Sequence, residues 1–141
     1  MPRKPAIQQA GTITTTIRVR YAEVDQMKVA YYANYLVWFE VARGAFCRER
    51  GIDYAQMEAD GMFLPVVDAR IRYHSFARYD DELSVSICLE ERTRRTLRFE
   101  YRITCGERLV AEGHTIQMLV DVGGRFRSFP KEISDRFGFS A

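Results

Sequence analysis

Residues 34–50 constrain the fold most, because they predict one long helix that is apolar around most of its circumference. Asn34 is a suitable N-cap for this helix, and Gly51 is a suitable C-terminal stop. Only a narrow polar stripe interrupts the apolar surface, and it carries Glu40, Arg43, Gly44 and Cys47. A helix of this kind needs burial on several sides, so other parts of the chain must cover it.

The other segments alternate apolar and polar residues with the period of β-strands. One strand is predicted before the helix, over residues 12–21, and a short second helix follows it, over residues 53–60. Later strands are predicted near residues 67–73, 83–89, 97–103, 109–120 and 125–129, the last of them after a hairpin turn at Gly123 and Gly124. No βαβ repeat occurs, which disfavours a parallel sheet. The sequence therefore predicts the α+β class, with a curved antiparallel sheet wrapped around one long central helix.

Length and composition limit the number of domains and the kinds of partner. A chain of 141 residues supports one domain. We expect residues 1–11 to form a flexible N-terminal tail and residues 12–141 to form the domain. A formal charge of +2 gives no reason to expect a nucleic-acid partner, and no apolar run reaches the roughly 20 residues of a membrane helix. Three scattered cysteines, and no apolar segment after the basic N-terminus, predict a cytoplasmic protein with reduced thiols and no metal site.

The loop between the first strand and the long helix carries the best candidate for catalysis. Asp25 lies there beside a cluster of aromatic residues, Tyr31, Tyr32 and Tyr35, whose rings can exclude water and tune the pKa of the carboxyl group. The N–H groups of residues 31–33 lie at or just before the helix start, where free backbone donors point outward. A carboxylate beside such donors can attack an acyl carbonyl, with the donors as an oxyanion hole. A solvated loop aspartate beside an ordinary capped helix is the alternative that the residues leave open.

Two further groups of charged residues each have a structural and a functional interpretation. Glu40 either pairs with Arg43 or Arg18, or faces the site as a second carboxylate across a subunit interface. An arginine cluster either forms a solvated turn or binds phosphate, because guanidinium groups contact phosphate bidentately; it consists of Arg92, Arg94, Arg95 and Arg98. The two histidines lie 40 positions apart and no GxSxG motif occurs, so a Ser/His/Asp triad is not predicted.

The chain resembles the hot-dog-fold acyl-CoA thioesterases of the hydroxybenzoyl-CoA thioesterase type, which include the thioesterases associated with the bacterial Tol–Pal system. The resemblance extends from about residue 13 to residue 130. It rests chiefly on the segment DQMKVAYYANY at residues 25–35 and on WFE at residues 38–40.

This resemblance implies a hot-dog domain that hydrolyses a short-chain or aromatic acyl-CoA to a free acid and coenzyme A. Asp25 is then the nucleophile or general base, and the backbone N–H of Tyr32 is the oxyanion donor. We expect the remaining substrate contacts from Tyr31, Tyr35, Glu40, Arg92, Arg94 and Arg95, with the arginines facing the phosphates of coenzyme A. No cofactor is implied apart from the coenzyme A of the substrate. The implied assembly is a homodimer whose sheets join edge to edge, or a homotetramer made from two such dimers.

Two residues depart from the family pattern. Lys28 stands where many relatives have glycine, and Tyr32 stands where the Tol–Pal branch often has histidine, which brings the chain closer to the aryl-CoA branch. Three other functions remain open: a non-catalytic acyl-CoA-binding hot-dog module, a hydratase or dehydratase of the same fold, and a scaffold subunit. The hydratase is disfavoured because the predicted helix contains no histidine.

Overall fold

The computed structural model describes residues 11–138, and in these residues one antiparallel sheet packs against a single long helix. The strands are β1 Ile13–Arg18, β2 Val66–Tyr73, β3 Glu82–Arg92, β4 Thr96–Cys105 and β5 Arg108–Met118. The helices are α1 Asn34–Glu49, α2 Tyr54–Ala59 and α3 Lys131–Arg136. The strand order is β1-β3-β4-β5-β2, and every neighbouring pair is antiparallel. The predicted α+β class and the central helix are confirmed.

Aromatic side chains join α1 to the inner face of the sheet. Phe39 stacks on Tyr101 of β4 with ring centroids 4.1 Å apart, and Phe46 meets Phe99 edge to face at 5.3 Å. Such pairs stabilise by about 0.5–1.5 kcal/mol each beyond the burial of their area. They fix the position of α1 over the sheet, and with it the position of the loop that leads into the helix.

The exposed face of α1 differs from the predicted polar stripe. Cys47, which we predicted on that stripe, is buried in the core. Leu36, Val37 and Val41 lie exposed beside Glu40, with 41–45% of their surface accessible. The first half of α1 therefore exposes an apolar surface around Glu40.

The end of the first strand is also different from the prediction. β1 ends at Arg18, three residues before the predicted end. The residues that follow form a short 3₁₀ turn over Tyr21–Glu23, and Tyr21 is 77% exposed instead of pointing inward. The turn redirects the chain from the sheet toward the start of α1.

The predicted strand over residues 125–129 is wrong. In the part of the chain that the structure describes, this segment makes only an isolated bridge between Val120 and Phe126. The carboxylate of Asp121 accepts hydrogen bonds from the backbone N–H groups of Gly123 and Arg125, at 2.9 and 3.0 Å, and so holds a tight turn. Phe129 then donates its N–H to the carbonyl of Arg94 at 2.8 Å, which draws the chain across the end of the sheet.

Two further expectations concern the N-terminal tail and membrane-spanning helices. The predicted tail lies outside the described residues except for Gly11, so the domain boundary stays a prediction. Across residues 11–138, no helix has both the length and the apolar character needed to cross a membrane.

Candidate active site

The loop that follows β1 is a tight, closed turn. Val24 and Ala30 pair across its base. Inside it, the N–H of Asp25 donates to the carbonyl of Val29 at 3.0 Å, and the N–H of Lys28 donates to the carbonyl of Asp25 at 2.9 Å. Lys28 has a φ of 63°, in the left-handed region that glycine adopts most easily. The turn therefore needs this conformation even though the chain has lysine at the position.

The turn fixes one oxygen of the Asp25 carboxylate and leaves the other available. Oδ1 accepts the N–H of Met27 at 2.8 Å, as in an Asx turn. Oδ2 has no hydrogen-bond or ionic partner in residues 11–138, and the residue is half-buried. A carboxylate held in this way can act as a nucleophile or as a general base.

The start of α1 offers two open backbone donors. Of the three predicted N–H groups, that of Tyr31 is occupied, because it donates to the carbonyl of Glu23 at 2.8 Å. The N–H groups of Tyr32 and Ala33 have no acceptor among the described residues. The carbonyl of Tyr31 accepts the N–H of Asn34 at 2.9 Å, and a trans peptide then turns the N–H of Tyr32 the opposite way, out of the helix. This is the geometry that an oxyanion donor needs.

A residue that the sequence did not single out fixes the peptide after Tyr32. The hydroxyl of Tyr73, at the end of β2, donates to the carbonyl of Tyr32 at 2.9 Å. Tyr73 packs edge to face against Tyr35 with ring centroids 4.9 Å apart. Tyr35 was predicted to bind substrate, but it is only 1% exposed and its hydroxyl accepts the N–H of Ala77 at 3.3 Å. In this structure Tyr35 is thus a core residue, and its contacts with Tyr73 and Ala77 support the loop.

The two tyrosines before α1 stay at the surface. The rings of Tyr31 and Tyr32 lie 4.7 Å apart and are 46% and 63% exposed. A side-chain hydrogen bond with Tyr32, in which the Tyr31 hydroxyl is the donor, raises the pKa of Tyr31, and the charge of Asp25 adds a smaller contribution in the same direction. Because both rings are exposed in a single chain, the exclusion of water that we expected needs a further surface.

Glu40 lies on the exposed face of α1 and makes neither of the ion pairs that we considered. Within the described residues, Arg18 pairs with Asp80 and Glu82, and Arg43 donates to the hydroxyl of Tyr101 at 3.1 Å. Glu40 instead lines a cavity of about 560 Å³. The wall of this cavity also includes Val37, Val41, Arg43, Tyr54 and Leu64.

The predicted phosphate-binding arginines lie far from Asp25 in the same chain. The turn between β3 and β4 is anchored where the carbonyls of Arg94 and Arg95 accept N–H groups from Phe129 and Leu119, both at 2.8 Å. Asp25 lies toward the other end of the sheet, where Arg18 pairs with Glu82. The eleven residues of β3 connect these ends, and its ten steps of about 3.3 Å each span roughly 33 Å. One chain therefore does not bring Arg92, Arg94 and Arg95 together with Asp25.

Glu23 is a second residue near the site that sequence reasoning missed, after Tyr73. Its carboxylate is buried and accepts hydrogen bonds from the indole N–H of Trp38, at 2.9 Å, and from the backbone N–H of Arg20, at 2.8 Å. Burial raises the pKa of Glu23, but the hydrogen bonds from Arg20 and Trp38 outweigh it and lower the pKa below its ordinary value. Two signals could have identified it: the capping-box spacing from Arg20, and a buried tryptophan that needs an acceptor.

Comparisons with known proteins identify the family and the fold of the chain. The family model of the thioesterase-like superfamily matches residues 19–137. The putative acyl-CoA thioesterase YneP of Bacillus subtilis is 45% identical over 75 residues, which cover 53% of this chain and 54% of that protein. The acyl-CoA thioesterase YbgC of Haemophilus influenzae is 30% identical over 125 residues, with 86% of this chain and 90% of YbgC covered. The solved structure of a DHNA-CoA thioesterase from Staphylococcus aureus superposes with a TM-score of 0.86 at 28% identity, over 90% of this chain and 89% of that chain.

The match to YneP thus spans about half of that protein, whereas the other two matches span nearly all of theirs. The superposition confirms the hot-dog architecture, and the match over residues 19–137 confirms the resemblance that the Asp25 loop motif indicated. The chain belongs to the thioesterase-like superfamily.

Proposed function

We propose that this protein hydrolyses acyl-CoA thioesters, and that Asp25 and the backbone N–H of Tyr32 perform the reaction. The observation that carries the proposal is the pairing of a half-buried carboxylate that has a free oxygen with an open helix-start donor on the same short loop. The family and its named thioesterases support the same reaction class. The protein is therefore an acyl-CoA thioesterase.

The loop geometry supports two forms of the chemistry. In one, Oδ2 of Asp25 attacks the thioester carbonyl, the thiolate of coenzyme A leaves, and water hydrolyses the resulting mixed anhydride. In the other, Asp25 removes a proton from a water molecule that attacks the carbonyl directly. In both, the carbonyl oxygen becomes negatively charged, and the N–H of Tyr32 stabilises that charge at the positive end of the helix dipole.

The substrate is proposed to be a short-chain or aromatic acyl-CoA. A named relative acts on acyl-CoA, and a structural neighbour acts on DHNA-CoA. The exposed rings of Tyr31 and Tyr32 offer an aromatic surface beside Asp25. No step needs a metal or a bound cofactor. We keep the cytoplasm as the proposed location, because Cys47, Cys88 and Cys105 are all free thiols.

The distance between Asp25 and the arginine turn supports a homodimer. β2 is an edge strand that exposes Val66, Val67 and Tyr73. If two copies join antiparallel through β2, the Tyr73 end of one strand lies beside the Val66 end of the other. The arginine turn of each copy then lies at the same end as the other copy's Asp25. It joins β3 and β4, so it lies two to three strand spacings of about 4.8 Å each from the joined β2 edges. This arrangement makes a site from two chains, and two such dimers would form the proposed tetramer.

A thiol-release assay on a panel of acetyl-, hexanoyl- and benzoyl-CoA tests the proposed reaction. We expect steady release of coenzyme A from at least one of them, at a rate proportional to the enzyme concentration. A non-catalytic binding module would instead be stabilised thermally by the same compounds and release no thiol. That second pattern across the whole panel would reject hydrolysis and leave the binding module as the function.

A further inference from the structure

We infer that Glu23 is a positioning residue that holds Asp25 and the open N–H of Tyr32 in their working places. This inference rests on the proposed thioesterase function. Glu23 does not need to contact the substrate, since it is only 5% exposed and its two carboxylate oxygens accept hydrogen bonds from Arg20 and Trp38. It would act through the two ends of the Asp25 loop.

The side chain of Glu23 connects the loop entrance to the first turns of α1. One carboxylate oxygen accepts the indole N–H of Trp38 at 2.9 Å, and Trp38 is itself buried on the first turns of α1. The other oxygen accepts the backbone N–H of Arg20 at 2.8 Å, with the guanidinium of Arg20 at 3.3 Å. A buried carboxylate with these donors is costly to displace, because moving it leaves both the charge and the donors unpaired.

The backbone of Glu23 ties the same point to the loop exit. Its carbonyl accepts two hydrogen bonds, from the N–H of Tyr31 and from the side-chain amide of Asn34, both at 2.8 Å. These bonds occupy the N–H of Tyr31 and the side-chain amide of Asn34, and they leave the N–H of Tyr32 open. They also set the path of the chain as it enters α1.

The loop therefore begins and ends at one fixed residue. Asp25 lies two residues after Glu23, and the Val24–Ala30 bridge closes the turn between Glu23 and Tyr31. A shift of Glu23 would move the carboxylate and the oxyanion donor relative to each other. A displacement of about 1 Å between reacting groups can cost about 100-fold in rate, so the loss should appear in kcat.

Glu23→Gln tests the inference with little change of shape. The amide has one oxygen where the carboxylate has two, so one of the two buried donors, from Trp38 or Arg20, meets an NH₂ group and loses its bond. We expect kcat for the best acyl-CoA of the panel to fall about 10- to 100-fold. The dissociation constant of S-hexyl-CoA, a thioether without the scissile carbonyl, should stay within about threefold, because this ligand does not need the aligned reacting groups.

Glu82→Gln is the matched control. Glu82 is an exposed carboxylate at the same end of the sheet, and it pairs with Arg18 at 3.0 Å without touching the loop. Its kcat should stay within about twofold of the native value, as for other exposed ion pairs. The inference is overturned if a folded Glu23→Gln enzyme keeps kcat within about threefold, or if its affinity for S-hexyl-CoA falls in step with kcat.

If Glu23→Gln does not fold, Asn34→Ala provides the decisive variant. It removes only the amide that donates to the Glu23 carbonyl, and we expect a smaller loss of kcat, about 3- to 10-fold, again with unchanged S-hexyl-CoA affinity. Native kcat in the folded Asn34→Ala enzyme would overturn the inference. A native enzyme that releases no thiol would instead reject the proposed function itself, so the two failures are distinguishable.

Discussion

Lys28 adopts a backbone conformation that suits glycine better than lysine. Its φ of 63° lies in the left-handed region, which costs an ordinary L-residue about 1 kcal/mol or more. The cost is tolerated because the N–H of Lys28 closes the turn on the carbonyl of Asp25. The loop geometry that presents Asp25 is thus maintained against a local conformational preference.

Lys28→Gly should therefore raise the free energy of unfolding by about 0.5–1 kcal/mol. This is a net value: relief of the strained φ stabilises the folded protein, and the greater entropy of glycine in the unfolded chain offsets part of that gain. Urea denaturation measures the change. Gln26→Gly is the control, since Gln26 is also exposed in this turn but has no positive φ, and this substitution should destabilise the protein by a similar amount. Equal destabilisation by both substitutions would show that the turn does not strain Lys28.

The residues of the site were predictable to different degrees. The position of Asp25 between a strand and a helix, and its spacing to the tyrosines, identified it as the candidate, and the structure adds that its Oδ2 is free. Glu23 was not predictable in the same way, because its burial depends on Trp38, fifteen positions away. The family resemblance led us to expect Tyr35 at the substrate, but Tyr35 lies in the core, where its ring packs against Trp38 and Tyr73.

At the level of secondary-structure elements, Glu90 of β3 and Glu100 of β4 form a titratable pair on the sheet. Burial, followed by a hydrogen bond with Glu90 and the charge of Glu90, raises the pKa of Glu100 from 4.5 to about 7, although Arg98 acts in the opposite direction. The folded protein therefore holds a proton on Glu100 over a pH range in which the unfolded chain has lost it. Stability from this group is present below about pH 4.5 and is lost as the pH rises through about 7.

Glu100→Gln should abolish this loss. Between about pH 5 and about pH 8, the native free energy of unfolding should fall by roughly 1–3 kcal/mol relative to that of the variant. Urea titrations of both proteins across this range measure the difference. Glu107→Gln, in the exposed turn after β4, is the control and should follow the native pH dependence. A constant difference between Glu100→Gln and the native protein at all pH values would contradict the raised pKa.

The pairing of β2 with β5 depends on the small size of Gly113. A Cβ at this position would lie 2.1 Å from the carbonyl oxygen of Arg70, which is backbone and has no room to move. Gly113→Ala should therefore destabilise the protein by about 3 kcal/mol, through separation of the edge strand. Gly123→Ala is the control, since its Cβ would meet only the Asp121 carboxylate at 3.5 Å. Equal unfolding midpoints of the two variants in urea would contradict this close approach.

The elements themselves were largely predictable, and the errors have physical causes. Period-two alternation and the apolar helix are local signals, and α1 and the five strands of the sheet appear near their predicted places. The segment 125–129 alternates like a strand. However, the side chain of Asp121 and the carbonyl of Arg94 accept hydrogen bonds from backbone N–H groups that would otherwise pair in a β-ladder. The exposed apolar face of α1 was missed because the sequence does not say which side of a helix the sheet covers.

At the scale of the whole molecule, the proposed homodimer forms each site from two chains. In this proposed arrangement Asp25 comes from one copy and the arginine turn from the other, because roughly 33 Å of β3 separates them within a chain. The double substitution Arg94→Gln with Arg95→Gln should raise KM for acyl-CoA about tenfold or more, through loss of the phosphate contacts. Hydrolysis of the corresponding acyl-pantetheine, which lacks these phosphates, should be unaffected.

Mixing two defective chains tests the shared site. Asp25→Asn chains and chains with both arginine substitutions are unfolded together and refolded. A mixed dimer then contains one site in which both components are native, so activity at low acyl-CoA concentration should recover to about a quarter of the native level when the chains pair randomly. If dimers shown to be mixed recover no activity, the shared site is contradicted. Either the arginines and Asp25 of one chain then act in the same site, or the arginines do not belong to the site.

The most direct test of the central claim compares Asp25→Asn with Asp80→Asn on the best substrate of the acyl-CoA panel. Asp80 is an exposed loop aspartate at the same end of the sheet, with an ion pair to Arg18 at 3.5 Å and a positive φ that asparagine also accepts. We expect kcat for thiol release to fall by at least about 10²- to 10⁴-fold in Asp25→Asn and to change less than about twofold in Asp80→Asn, with both proteins folded. Near-native thiol release by folded Asp25→Asn would contradict the assignment of Asp25 as the catalytic carboxylate.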